Sequence, residues 1–259
     1  MKCPFTAHIQ RVSAAQAAKG QQVRLGALPL AENGAAATAY QLTLASLGND
    51  LRQLSNTQSL ETKISLKRGM IDTYRPWIEG ALAAAKPAQD EIVGTMLVWA
   101  IDIAEWPLAL DLARHVLAHG LALPERYRRT PATLIAEQVA EAGIGAAPTV
   151  DLATLQQVEA MTETADMPDE VRAKVKKAIG LAFKARAEAF DPTAESAVAG
   201  GKPALIAAAI AHLNRAFALD AKCGVRKIIT SLEAEAKRIA ADAAKTSAAE
   251  AAKAGEKSE

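Results

Sequence analysis

The chain has 259 residues and a formal net charge of +1, and its composition is 50% hydrophobic but only 4% aromatic. This hydrophobic content excludes a wholly disordered chain, and much of it is alanine, which favours helices over strands. The balance of charge excludes a surface that is basic throughout, so any contact with nucleic acid must be local. We therefore predict an all-α protein.

Cysteine use and hydropathy indicate the compartment. Cys3 and Cys223 provide neither a disulfide framework nor a tetrahedral metal site, as is typical of a reducing compartment. No apolar run before Arg11 could serve as a signal-peptide core, and the longest charge-free apolar stretches, 92–101 and 204–210, fall well short of the roughly 20 residues of a membrane span. We expect a cytoplasmic protein without membrane contact.

The beginning of the chain is predicted to form a basic, flexible arm over residues 1–34. Its first 31 residues contain no Asp or Glu, and glycine and proline interrupt any helix there. We predict that four cations of this arm contact DNA: Lys2, Arg11, Lys19 and Arg24.

One long helix of coiled-coil type is predicted from Ala35 to Arg68, with Gly69 as its end. A seam of apolar residues recurs at alternating steps of four and three, namely Tyr40, Leu44, Leu47, Leu51 and Leu54. Leu60 and Ile64 resume it after a polar break. The seam either joins copies of the chain or packs on the chain itself as an ordinary amphipathic helix, and we favour a homo-oligomer.

Short antiparallel helical hairpins are predicted beyond Gly69, because prolines recur near plausible helix starts, at Pro76, Pro87, Pro107, Pro124 and Pro131. The second helices of two such pairs resemble those of tetratricopeptide repeats in the spacing of their small residues, although the full repeat pattern is missing. These two sets are Ala109, Ala113 and Val116 before Gly120, and Ala209, Leu213, Ala216 and Leu219 before Asp220.

These patterns divide the chain into five regions. Gly143, Gly145 and Pro148 form a linker, and beyond Ala240 the chain is alanine with mixed Lys and Glu. The regions are the basic arm 1–34, the long helix 35–69, a central helical domain 70–145, a C-terminal helical domain 151–240 and the tail 241–259.

No catalytic centre follows from the motifs. Gly201-Lys202 lacks the rest of a phosphate-binding loop. Asp111, His115 and His119 share one helical face that could hold a divalent metal, but no fourth ligand is evident, and we favour a solvated face with a histidine near the helix C-terminus. We predict no metal and no cofactor.

A metal-dependent nuclease is the alternative in the enzyme class, and it would need Mg²⁺. Asp50 with Glu61 and Lys63 matches a nuclease spacing, but those residues lie in a predicted helix and not on paired strands. Four other carboxylates flank the Pro107 turn and serve either as caps and ion-pair partners or as metal ligands: Asp90, Glu91, Asp102 and Glu105.

A second candidate DNA contact is the arginine tract, residues 125–131, which contains Arg126, Arg128 and Arg129 beside Tyr127. It precedes a helix that we expect to start at Pro131, where free backbone N–H groups also favour anions. The alternative is an exposed loop whose arginines pair with nearby acids.

The order of several residues resembles the small terminase subunit of contractile-tailed temperate phages. Two runs are the most specific, Arg128-Arg129-Thr130-Pro131 and Asp166-Met167-Pro168-Asp169-Glu170-Val171-Arg172-Ala173-Lys174, and Arg11-Val12-Ser13-Ala14-Ala15 resembles the family's opening. Further matches are Gln89-Asp90, Trp99, Asp102, Ala109-Leu110, Ala113-Arg114 and Gly120-Leu121. The likeness runs from about Ile9 to Leu232, whereas the alanine-rich tail departs from the more basic tail of that family.

The resemblance implies a protein of the infected bacterial cytoplasm that binds double-stranded phage DNA and partners the large, ATP-driven terminase subunit in genome packaging and cutting. It also implies ring formation and an endonuclease label, which the residues themselves do not support independently. A helical protein-binding scaffold, indicated by the repeat-like units, stays the alternative outside both the enzyme and the DNA-binding classes.

Overall fold

The computed structural model describes residues 35–84, 87–145, 147–191 and 201–256, and side chains within 39–245 of those ranges. The described residues form helices and no strand, which confirms the all-α prediction. In chain order the helices are α1 (Ala35–Asn56), α2 (Leu60–Ile71), α3 (Arg75–Leu82), α4 (Glu91–Asp102), α5 (Trp106–Ala118), α6 (Pro131–Ile144), α7 (Leu152–Thr162), α8 (Asp169–Glu188), α9 (Gly201–Leu219) and α10 (Arg226–Glu256). The predicted basic arm, with Lys2, Arg11, Lys19 and Arg24, lies outside the described residues.

The prediction of a single helix from Ala35 to Arg68 is wrong, because residues 57–59 separate α1 from α2. The Thr57 hydroxyl donates to the Gln53 carbonyl at 2.9 Å, and the Ser59 hydroxyl accepts from the Thr62 N–H at 3.3 Å. Polar side chains thus satisfy backbone groups at the end of one helix and cap the start of the next. The polar break in the sequence marks this interruption.

A first compact unit comprises the described residues from 35 to 135 together with Met161–Ala165. Its centre is α4, in which every residue from Ile92 to Ile101 is buried. The helices α1, α2, α3 and α5 all contact α4. A helix that is apolar on all sides must be covered by other helices, because no face of it is suited to water.

The hairpin between α4 and α5 closes through a left-handed residue, Ala104, at φ 58°. The N–H of Glu105 donates to the Ala100 carbonyl at 2.9 Å, and that of Ala104 to Ile101 at 3.0 Å, in the usual pattern of a helix C-terminus. Gly120, predicted to stop the following helix, takes the same conformation after α5 at φ 61°. Glycine makes that conformation unstrained.

The apolar seam of α1 packs on the core of its own chain. Leu47 and Leu54 are buried, with 1% and 6% of their surfaces exposed, and the Tyr40 ring lies 5.5 Å from that of Trp77. This arrangement is the ordinary amphipathic alternative, since side chains buried within one subunit cannot also join two. The coiled-coil interpretation of the seam is not confirmed.

A second compact unit comprises residues 136–160 and the described residues from 166 onward. In it α8 and α9 pack closely at Gly180, where an added Cβ would lie 2.7 Å from Leu213 Cγ and 3.2 Å from the Ala209 carbonyl oxygen. Ala209, Leu213 and Ala216 are fully buried, so their predicted spacing does mark the packed face of a helical pair. The likeness to tetratricopeptide repeats is not confirmed beyond this pairing.

The described helices differ from membrane-spanning helices in length or in apolar character. None of them combines the length and the apolar character that crossing a bilayer requires.

We predict that Leu47→Asp unfolds the first unit instead of separating subunits. Placing a carboxylate at this buried position should lower the free energy of unfolding by at least about 3 kcal/mol. Ala45→Asp is the matched control on the same helix, because Ala45 is exposed, and we expect it to stay within about 0.5 kcal/mol of the unsubstituted protein. Chemical unfolding followed by circular dichroism measures both. Unchanged stability of Leu47→Asp together with a fall in solution mass would restore the seam as a subunit interface.

Candidate nucleic-acid interface

The arginine tract lies between α5 and α6, and α6 starts at Pro131 as predicted. The Thr130 hydroxyl oxygen accepts from the Thr133 N–H at 3.3 Å and donates to the Thr133 hydroxyl at 2.8 Å. Thr130 therefore caps α6 at its N-terminus.

Arg126 is held by the first unit itself. Its guanidinium forms an ion pair with the Glu91 carboxylate at 2.9 Å and donates a hydrogen bond to the Thr95 hydroxyl. The guanidinium carbon also lies 5.1 Å from the centre of the Tyr127 ring. Burial raises the pKa of Tyr127, which keeps its hydroxyl neutral. These contacts anchor the tract on α4. Arg126, Arg128 and Arg129 are all exposed.

The carboxylates around the Pro107 turn have structural partners. Asp102 pairs with Lys67, Glu105 with Arg75 at 2.7 Å, and Glu91 with Arg126. Among the residues whose side chains are described, no three of the His, Cys, Asp and Glu side chains gather as a metal site would require. The structure therefore gives the metal-dependent nuclease alternative no support in this part of the chain.

Asp90 is the cap of α4 and is buried. One carboxylate oxygen accepts from the N–H groups of Ile92 and Val93, at 2.8 and 3.3 Å, and the other accepts from the Trp77 indole N–H at 2.6 Å. Burial raises the pKa of Asp90 to about 6, against the opposing effect of these three hydrogen bonds. Asp90 thus orders the start of the central helix.

The other nuclease and metal candidates are also separated or partnered. Asp50 accepts from the Tyr74 hydroxyl at 2.6 Å and lies in α1, whereas Glu61 and Lys63 lie in α2. Asp111 pairs with Arg114 at 2.9 Å. His115 and His119 have ring centres 5.0 Å apart, and the pKa of His115 is lowered, first by burial and then by His119.

Most lysines of the basic helix α8 are engaged in ion pairs of the second unit. Lys174 bridges Glu137 and Glu141 at 2.9 and 2.7 Å. Two further pairs are Lys176 with Glu159 and Lys184 with Glu188, each at 2.6 Å. Charge density along the sequence is therefore a poor guide to free cationic surface.

A basic surface that sequence reasoning missed lies at the turn between α9 and α10. We call it the basic turn and define it by Lys177, Lys222, Arg226 and Lys227. The signal available in the sequence was the absence of acids from residue 221 to 232 beside three cations. The contribution of Lys177 comes from α8 and needed the tertiary structure.

Comparison with known proteins decides the family. A family model described as "Phage small terminase subunit" matches residues 44–170. A protein of Escherichia phage P2, named "Terminase, endonuclease subunit", is 38% identical over 240 residues, which are 92% of this chain and 87% of that protein. The chain belongs to the phage small terminase subunit family.

The family match confirms the resemblance seen in the sequence. The matched segment contains α2 to α7 and ends at Glu170, just inside α8. The full alignment with the phage P2 protein reaches well beyond this segment, because it covers 92% of the chain. No solved structure matches this small terminase chain significantly.

We predict that Asp90 gives the first unit a specific pH dependence. Because the folded-state pKa of about 6 exceeds the ordinary 3.8, the stabilisation from Asp90 is complete below about pH 4 and is lost as the pH rises through 6. The loss amounts to about 3 kcal/mol. Unfolding free energies of the unsubstituted protein and Asp90→Asn should therefore differ by a pH-dependent amount in this window.

The matched control for this experiment is Asp111→Asn, because Asp111 is exposed. Its pH profile should run parallel to that of the unsubstituted protein. A parallel profile for Asp90→Asn as well would contradict the raised pKa of Asp90.

Proposed function

We propose that the chain binds double-stranded phage DNA and partners the large terminase subunit during genome packaging in the bacterial cytoplasm. The observation that carries this proposal is the 38% identity with a phage terminase subunit along nearly the whole chain. The chain contributes DNA recognition, and the ATP-driven step belongs to the large subunit.

The proposed DNA contacts are electrostatic. Lys2, Arg11, Lys19 and Arg24 lie in an acid-free segment and are suited to following a phosphate backbone. Arg128 and Arg129 are exposed immediately before α6, where the N-terminus of the helix favours anions. Arg126 supports them by fixing the tract to Glu91 on α4.

We also propose that the chain acts as a homo-oligomer. Leu47 and Leu54 of the α1 seam are buried, so we place the subunit contacts on other surfaces. Two leucines that are exposed in the single chain, Leu42 and Leu60 at 68% and 72%, belong to α1 and α2. A subunit contact that covered these two side chains would remove apolar surface from water.

Cutting of DNA is assigned here to the large subunit, although the phage P2 relative is named an endonuclease subunit. The partnered states of Glu91, Asp102 and Glu105 support this assignment. We predict that the purified chain with Mg²⁺ leaves cognate DNA intact, and that addition of the large subunit and ATP produces cutting. Cleavage by the chain alone, detected on a gel, would instead establish the metal-dependent endonuclease alternative.

We predict that deletion of residues 1–31 weakens the binding of cognate and random duplexes by a similar factor. If all four arm cations contact phosphates, the log–log salt slope should become shallower by roughly 3.6 per bound arm. Fluorescence anisotropy over a salt series measures this slope, and circular dichroism checks that the helix content is retained.

A matched control for the deletion is the full chain with Lys237→Gln and Arg238→Gln, two exposed cations of α10. Its salt slope should change less. An unchanged slope after the deletion would remove the arm from the interface. No DNA binding by the unsubstituted chain at low salt would favour the scaffold alternative.

A further inference from the structure

We propose that the basic turn of the second unit is a separate binding surface for the phosphate backbone of duplex DNA. This inference rests on the proposed function and adds a location that neither the arm nor the arginine tract supplies. The surface joins two parts of the chain, because Lys177 comes from α8 while Lys222, Arg226 and Lys227 belong to the α9–α10 segment.

The backbone geometry brings these cations together. The Lys177 ammonium donates to the carbonyl of Cys223 at 2.7 Å, which places its charge on the turn. Gly224, at φ 78°, makes the sharp change of direction, and the Val225 carbonyl accepts the helical bond of α10 from the Ile229 N–H at 3.0 Å. Lys222, Arg226 and Lys227 thus lie within six consecutive residues that include this turn.

The sequence around the basic turn lacks the acids that neutralise cations elsewhere in the second unit. Asp220 is the one acid from residue 220 to 232, and its carboxylate accepts from the Lys222 backbone N–H at 2.8 Å. The three cations of this segment therefore outnumber its single carboxylate. Lys222, Arg226 and Lys227 are exposed. The other three lysines of α8 differ in kind, since Lys174, Lys176 and Lys184 each contact a carboxylate.

The placement of Arg226 and Lys227 is unfavourable for the isolated chain. They lie in the first turn of α10, which contains no acid, and there the helix dipole disfavours cations. Val225 has no side-chain oxygen with which to cap this turn. A bound phosphate would relieve both costs, because it accepts from free N–H groups and neutralises the cations.

Arg226 also has a fixed orientation. Its guanidinium carbon lies 4.9 Å from the centre of the Phe217 ring of α9, within range of a cation–π contact. This contact lowers the entropy that the side chain loses when it binds an anion. Duplex DNA has one phosphate charge per roughly 1.7 Å of its axis, so a cluster of this size faces several phosphates at once.

The test replaces the three exposed cations in the full chain, as Lys222→Gln, Arg226→Gln and Lys227→Gln together. Because this variant can no longer neutralise three phosphates, the log–log salt slope of duplex binding should become shallower by about 2.7 for each subunit bound to the duplex. Affinity should fall at least about tenfold at 0.1 M salt. Fluorescence anisotropy with cognate and random duplexes should give the same reduction for both.

Two further variants separate the surface from net charge and from folding. Lys237→Gln, Arg238→Gln and Lys245→Gln remove the same charge from exposed positions of the same helix and should leave the slope nearly unchanged. Lys222→Gln with Lys227→Gln retains the contact of Arg226 with Phe217, and should make the slope shallower by about 1.8 without altering the unfolding midpoint.

Three outcomes would overturn the proposal in different ways. An equal weakening in the triple variant and its control would remove the basic turn from the interface while leaving DNA binding by the chain intact. Unchanged DNA binding together with failure to associate with the large subunit would assign the surface to an acidic protein partner. Absence of DNA binding by the unsubstituted chain would overturn the proposed function and this surface with it.

Discussion

The burial of α4 is the constraint on which the first unit depends. Ten consecutive residues of this helix are buried, so it can exist only where other helices cover every side of it. Its start is fixed by Asp90, which accepts from two backbone N–H groups of α4 and from the Trp77 indole of α3. The Asp90 carboxylate thereby connects the central helix to α3. Burial of this carboxylate is the reason that its pKa is raised.

Ion pairing within each unit decides which cations keep an uncompensated charge. Where a cation packs beside a carboxylate, as Arg126 does with Glu91 or Lys174 with Glu137 and Glu141, its charge is used within the subunit. Cations without such neighbours create a local positive potential in a chain whose net charge is only +1. In the second unit this condition is met at the basic turn, which is why we propose it as a binding surface for phosphates.

Much of the fold was predictable because the signals are local. Pro76, Pro107 and Pro131 lie in the first turn of a helix and Gly120 follows the end of one, and these signals act through backbone angles within a few residues. Pro87 and Pro124 do not start helices. The spacing of Ala209, Leu213 and Ala216 indicated a packed helix face for a similar reason, since periodicity is a property of the helix itself. The helix Ala35–Arg68 was mispredicted because Ser59 caps the start of a new helix, α2. The polar break before it is only a few residues long, and the apolar pattern on both sides outweighed it.

The sequence by itself determined the all-α class and the family, because composition, helical periodicity and two specific runs can be read without any knowledge of packing. Only the tertiary structure decided which side chains contact one another. It turned the seam around Leu47 inward, assigned Asp90 to a cap, and separated paired cations such as Lys174 from exposed ones such as Lys227. The physical reason is that burial and ion pairing join residues far apart in the chain, such as Lys177 and Cys223, and no local pattern specifies which surfaces will meet.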